Sequence, residues 1–365
     1  MRILLWTALY KPMIGGVERY VQRLATGLAR LGCITEVVTN SIASAPDTET
    51  VDGLTVTRLP FPASRRGDMD AFRTVRDGLR VVTERLQPEL VNLHTSGPSI
   101  VHYQLHRRAL QLPLVTTFHG IYPHGPEMLS LVGPHLAAGI AASAATKASL
   151  VAIAGGVAAE LDVRLPSLDD ERRPPGPADG ATALILGVGR LVTEKGWATL
   201  IEAMPTVLAV APHARLIFVG DGDDRPRLEG LVAARELGSV VSFTGIVDDD
   251  TLTDLLDNCN VACMPTTGEE GFGMVAIEAS SRARPVVASR SGGLVEAVLD
   301  GVTGILVPIA DPTALAAALV NVLANPHLAA ELGRRGREHA STFTPDALAS
   351  ATLDSFERAL RRSRV

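Results

Sequence analysis

At 365 residues the chain exceeds one ordinary hydrophobic core and suits two domains of about 170 to 190 residues each. It is 46% hydrophobic but only 4% aromatic, so its core has to be built from Val, Leu, Ile and Ala, which favours α/β layers. A net charge of −6 excludes a general nucleic-acid binder, because phosphate backbones demand concentrated Lys and Arg.

Met1 to Tyr10 has the length of a signal core, but no small-residue cleavage site follows and Lys11-Pro12 breaks it, so it reads as a first strand over 2–9. The pair Gly15-Gly16 comes next, then a helix over 17–31 with Gly32 as its stop. A glycine pair where a strand meets a helix can bring backbone N–H groups against a diphosphate, or can simply make the turn. Further strands are expected near 34–39, 54–59, 90–93, 113–118 and 149–154, with helices near 68–87, 98–111, 128–146 and 156–162. The helix at 68–87 carries Arg73, Arg76, Arg80 and Arg85, but Asp68, Asp70, Asp77 and Glu84 dilute them, which favours a solvated face and leaves peripheral membrane contact open. His119 follows the apolar strand Leu114-Val-Thr-Thr-Phe118 and so stands at its carboxyl end.

Between Leu131 and Leu161 the weakly polar stretch is broken by His135, Lys147 and Gly155-Gly156, so no transmembrane helix is expected. Cys33, Cys259 and Cys263 sit in apolar patterns and read as reduced, buried thiols of a cytoplasmic chain. From Leu165 to Gly180 the sequence turns Pro-, Asp- and Arg-rich without periodicity, which marks a linker. Domains are therefore expected over 1–164 and 182–344, joined by 165–181, with a terminal helix over 345–365.

The second half restarts with a strand over 183–188, then Gly189-Arg-Leu-Val-Thr-Glu-Lys-Gly196 and a helix from Trp197 to about Val210. Arg190 and Lys195 flank a strand-to-helix loop, where two cations can converge on one anion. Strands at 215–219 and 240–243 end in Gly220-Asp-Gly-Asp-Asp224 and Thr244-Gly-Ile-Val247. Asp221-x-Asp223 and Asp248-x-Asp250 have a metal-binding spelling, but read better as loop and helix-start aspartates, so no metal is expected. Helices are expected over 312–324, 327–341 and 345–362.

The stretch that organises the chain lies between them. The apolar run Val261-Ala-Cys-Met-Pro265 leads into Gly268-Glu-Glu-Gly-Phe-Gly-Met-Val-Ala-Ile-Glu278, which reads as strand, loop, helix. The loop then lies at the carboxyl end of the strand, beside the free N–H groups of the helix's first turn, at Gly273, Met274 and Val275. Glu278, five residues into the helix, stands about 7 to 8 Å along the axis, one sugar away from an anion held at its start. Glu270 precedes the helix, at the mouth of the loop, where it can meet sugar hydroxyls or developing positive charge. Gly271, with Phe272 beside it, and Gly273 let backbone approach a ligand.

Glu270 and Glu278 in this spacing resemble the E-x7-E signature of retaining glycosyltransferases of family 4. Arg284-Pro-Val-Val-Ala-Ser, Gly292-Gly-Leu-Val-Glu296 and Asp300-Gly-Val-Thr-Gly-Ile-Leu-Val307 are similar to that family's continuation. The resemblance implies the GT-B fold, two doubly wound Rossmann-like domains facing a central cleft, with the C-terminal helix crossing back to the first. It implies that Gly15 and Gly16 close over donor phosphates, that His119 reaches the donor sugar, and that Arg190 and Lys195 hold the diphosphate. It also implies that Gly222 and Ile246 frame the base. Pro166-Ser-Leu-Asp-Asp170 departs from the family's usual Pro-Asn-Gly-Val-Asp.

The activity so implied is transfer, with retention and without metal or cofactor, of a hexose-type sugar from a nucleotide-diphosphate sugar to a hydroxyl acceptor. That acceptor is a glycan, a lipid-linked group or a small molecule, selected by loops around 40–66 and 121–130. A nucleotide-sugar epimerase and a catalytically silent nucleotide-sugar binder are the alternatives. Product analysis with and without acceptor separates them.

Overall fold

The run Ile3-Leu-Leu-Trp6 has no polar residue to turn toward water, and the strand it forms, β1 (Arg2–Trp6), buries all four on both faces of a sheet. The computed structural model describes residues 1–13, 15–95, 98–120, 132–154, 160–169 and 183–363. They fall into two units, Met1–Asp170 with Phe343–Val365, and Glu171–Thr342.

In the first unit β1 is joined by β2 (Ile34–Asn40), β3 (Thr48–Val51), β4 (Leu54–Leu59), β5 (Leu90–Thr95), β6 (Leu114–Phe118), β7 (Leu136–Ala141) and β8 (Asp162–Val163). Their order is β3-β4-β2-β1-β5-β6-β7-β8, parallel throughout except for the β3–β4 hairpin. That hairpin turns on Asp52-Gly53, both at positive φ, the pair that two-residue primed turns favour. The helix Gly16–Arg30 buries Tyr20, Val21, Leu24 and Leu28, one stripe at helical spacing. The helix Pro345–Ser363 packs on it so closely that a Cβ on Gly27 would collide with the Pro345 carbonyl oxygen.

The helix expected over 128–146 and the strand over 149–154 are not found. Leu136–Ala141 is strand β7 and Ala144–Ala154 is a helix. The alanines of β7 have helical propensity, but Gly139 weakens it and packs so close to Leu161 that a Cβ there would collide with that side chain. Ser143 Oγ accepts the Thr146 N–H at 2.9 Å and starts the helix that follows. The helix expected over 156–162 lies largely outside the described residues, and its end forms β8 instead.

The second unit stacks β9 (Ala183–Val188), β10 (Ala214–Val219), β11 (Val241–Gly245), β12 (Val261–Met264), β13 (Val286–Ser289) and β14 (Gly304–Val307) in the order β11-β10-β9-β12-β13-β14, all parallel. Its core joins Trp197, Met204, Phe218 and Leu319 across sheet and helices. Most of the linker, with Asp170, lies outside the described residues. Its start is held within the first unit: Arg23 pairs with Asp169 at 2.7 Å and donates to the Ser167 carbonyl, and Leu168 N–H donates to Phe343 O. Among the described residues no single helix is long and apolar enough to cross a membrane. All three cysteines are buried.

Candidate active site

Because all six strands of the second unit run parallel, the loops that follow them share one edge of the sheet. β9 has β10 on one side and β12 on the other, which makes the pair β9 and β12 the topological switch point, where open α/β sheets receive ligands. The loop after β9 carries Arg190 and Lys195; the loop after β12 carries Glu269 and Glu270.

The two loops are knitted together by backbone. Thr267 and Gly268 each donate an N–H to the Glu194 carbonyl at 2.9 Å. Gly196, at φ 68°, lies so near Pro265 that a Cβ would collide with its carbonyl oxygen. Across this seam Lys195 Nζ meets Glu270 Oε2 at 2.5 Å, with Thr266 Oγ1 on the same oxygen at 3.4 Å. Both side chains are half-buried, so the pair is less screened than a surface ion pair, yet still reachable. Arg190 is exposed, and its side chain has no ion-pair partner among the described residues. Its carbonyl accepts the Trp197 indole N–H at 2.8 Å, which anchors the loop to the core while leaving the guanidinium outside.

Gly273, at φ 95°, caps the helix Met274–Ser281, as the expected start near Gly273 requires. Phe272 is buried, Met274 and Val275 are half-buried in the first turn, and Glu278 is half-buried one turn on. Behind this loop lies Gly292-Gly293: Gly293 N–H donates to the Glu270 carbonyl at 2.7 Å, and a Cβ on either glycine would run into the backbone of 270–272. Ser291 Oγ donates to Gly268 O. This brace sets where Glu270 stands, and its glycines were visible only as part of the family pattern.

Gly222 lies against the backbone of Leu191, whose N–H and carbonyl bond Asp221 and Asp224, so the loop after β10 is tied to that after β9. Ile246, 84% exposed, follows the edge strand β11. Asp248 caps the helix Asp249–Asn258 by accepting the Thr251 N–H, and Asp221 pairs with Arg225.

Gly15, Gly16 and His119 belong to the first unit. Gly15 is the N-cap of the helix Gly16–Arg30, and the Glu18 carboxylate folds back to within 2.5 Å of where a Gly15 Cβ would stand. Burial pushes the Glu18 pKa up. His119 follows β6, and its Nε2 lies 3.0 Å from Nδ1 of His94, the penultimate residue of β5. Tyr20 packs edge-on to His119, with ring centroids 4.7 Å apart. Glu18 and His94 carry no signal in the sequence beyond the place of His94 near the carboxyl end of β5. The loop 121–130 lies outside the described residues.

The sequence matches "Glycosyl transferases group 1" over residues 169–339 and "Glycosyltransferase Family 4" over residues 14–163. A D-inositol 3-phosphate glycosyltransferase of Gordonia bronchialis is 30% identical, over 95% of this chain and 84% of its own. The chain is a group 1, family 4 glycosyltransferase. A glycogen synthase of Mycobacterium tuberculosis is 29% identical over 100% of this chain and 96% of its own. Anabaena HepE, solved in complex with UDP and glucose, superposes with a TM-score of 0.81 over 98% of this chain and 99% of that one, at 21% identity. The fold of this glycosyltransferase is therefore GT-B, with two Rossmann-like sheets.

Proposed function

We propose that this glycosyltransferase moves a hexose-type sugar from a nucleoside-diphosphate sugar to a hydroxyl acceptor, with retention of anomeric configuration and without metal or cofactor. The observation that carries the reading is the Lys195–Glu270 contact at the switch point of the second unit, with Arg190 on the same loop. A cation suited to a diphosphate then stands beside a carboxylate suited to the sugar, which supports the reading. The UDP and glucose bound by HepE support a nucleotide-sugar donor.

In this reading Arg190 and Lys195 stabilise charge building on the diphosphate as the bond from the anomeric carbon to phosphate oxygen breaks. Glu270 faces the positive charge that develops on the sugar, and Glu278 binds the ribose. Gly271 to Val275 offer backbone N–H groups to the diphosphate, with Gly15 and Gly16 assigned to the same anion. Gly222 and Ile246 are assigned to the base, and His119 to the transferred sugar. The acceptor oxygen bonds the anomeric carbon on the face the phosphate leaves, and its proton passes to the departing phosphate oxygen. No carboxylate has to act as general base from the opposite face.

Calorimetry with UDP, GDP and ADP tests donor binding. Arg190→Ala and Lys195→Ala should each weaken the preferred diphosphate at least tenfold, about 1.4 kcal/mol. Unchanged affinity in both variants refutes the assignment. NMR of the anomeric proton should show an α-linked product from an α-linked donor, formed equally well in excess EDTA. A β-linked product, or activity that returns only with magnesium or manganese, removes the retaining or the metal-free part.

A further inference from the structure

The first unit buries a histidine pair whose geometry fixes a proton. His94 is fully buried in β5, and its ring stacks on that of His119 at 5.2 Å and 19°. Nδ1 of His94 and Nε2 of His119 are 3.0 Å apart, so one hydrogen bond joins them. Tyr20 stands edge-on to both rings, at 5.8 and 4.7 Å.

Two neutral imidazoles share one proton in such a bridge, so both rings take the same tautomer. If His119 donated from Nε2, His94 would carry its own proton on Nε2. That atom is buried and has no hydrogen-bond partner among the described residues. A buried N–H without an acceptor is rarer in folded proteins than a buried acceptor left bare. His94 therefore donates from Nδ1, its Nε2 stays unprotonated, and His119 carries its proton on Nδ1. Of the four ring nitrogens this is the one left for a ligand, on the residue of the pair that is not fully buried. Burial holds both rings neutral, His119 at a pKa of about 3 and His94 well below the ordinary range.

We propose that His94 is a positioning residue that locks His119 in the Nδ1–H tautomer, so that His119 offers a donor to a ligand oxygen. The proposal rests on the reading of His119 as a sugar contact and adds what kind of contact it makes: a neutral donor to a hydroxyl or ring oxygen.

The test is long-range 1H–15N correlation NMR on the full chain labelled with 15N-histidine, its nine histidines resolved with His119→Gln and His94→Asn. Both His94 and His119 should report Nδ1–H. An Nε2–H signal from His119 in the wild-type chain overturns the proposal. In His94→Leu the His119 signal should move toward the Nε2–H form, while His94→Asn, which can place an amide N–H near the lost Nδ1, should keep it. kcat should fall about tenfold in His94→Leu with KM little changed, and recover in His94→Asn. A broken lock that leaves kcat unmoved overturns the positioning role. Diphosphate binding by the second unit is read separately, so failure here is distinguishable from failure of the proposed function.

Discussion

His102 places both ring nitrogens in the interior without a hydrogen-bond partner among the described residues, stacked on Phe61 at 5.5 Å and 11°. His106, also buried, contacts Ser64 Oγ at 2.9 Å. Burial lowers each pKa to about 4. Because the folded values lie below the ordinary value of about 6.5, the unfolded chain binds protons in that window that the folded chain refuses. Their contribution to stability is thus fully present above about pH 6.5 and falls as pH drops toward 4, by roughly 1.4 kcal/mol per pH unit for each ring. Below about 4 the loss levels off. Urea unfolding at pH 7, 5.5 and 4.5 should show the first unit weakening along this slope. His102→Phe, which replaces an unsatisfied ring with an apolar one of similar shape, should make it shallower by one ring's share, because His106, His94 and His119 keep their lowered pKa values. An identical slope in that variant would show that His102 is not held neutral.

At the scale of elements, the loop after β12 is positioned by the loop after β13. Gly292 sits at φ 49°, and a Cβ there would meet the backbone of Glu270. Gly292→Ala should therefore displace Glu270 while touching neither ligand nor core. Turnover should fall at least tenfold, with Tm lowered by roughly 2 to 12 °C, since strain at one left-handed residue costs on the order of 1 to 3 kcal/mol and each kcal/mol lowers Tm by about 2 to 4 °C. Steady-state kinetics beside a thermal melt separate the two; wild-type turnover would remove the brace from the mechanism. This coupling marks the limit of what the sequence disclosed. Arg190, Lys195 and Glu270 were legible because strand, glycine and charge lie contiguously in two short segments. The meeting of Lys195 with Glu270 depends on the β9–β12 pairing, a long-range fact that no local pattern carries. The exchanged strand and helix at 136–154 failed for a related reason. Ala and Gly there answer to the space left by Leu161, although Ser143, three residues before Thr146, is a local capping signal for the helix that follows. Asp52-Gly53 is likewise a local signal for the β3–β4 turn.

At the scale of the whole molecule, the first unit is made from both ends of the chain and the second from one continuous stretch. The helix Pro345–Ser363 contributes Leu348, Ala349, Phe356 and Ala359 to the core that holds Ile3, Leu5, Tyr20 and Leu24. Ser355 also donates to Asp162 at 2.7 Å, beside Arg358. Losing Phe356 alone, which is fully buried, should cost about 3 to 5 kcal/mol, a large share of the roughly 5 to 15 kcal/mol that stabilises a domain. Removing the whole helix exceeds what the first unit can lose. A fragment ending at residue 342 should therefore keep one cooperative transition, that of the second unit, and lose the other. The fragment 183–342 should fold alone and bind the same nucleoside diphosphate as the full chain, because Arg190, Lys195, Glu270 and the Gly292-Gly293 brace all lie within it. Calorimetric melts of both fragments, with diphosphate titrated into each, decide the matter. A fragment 1–342 that retains two transitions would make the terminal helix an appendage, and a fragment 183–342 that folds but does not bind would show that the β9 and β12 loops do not hold the diphosphate without Gly15 and Gly16.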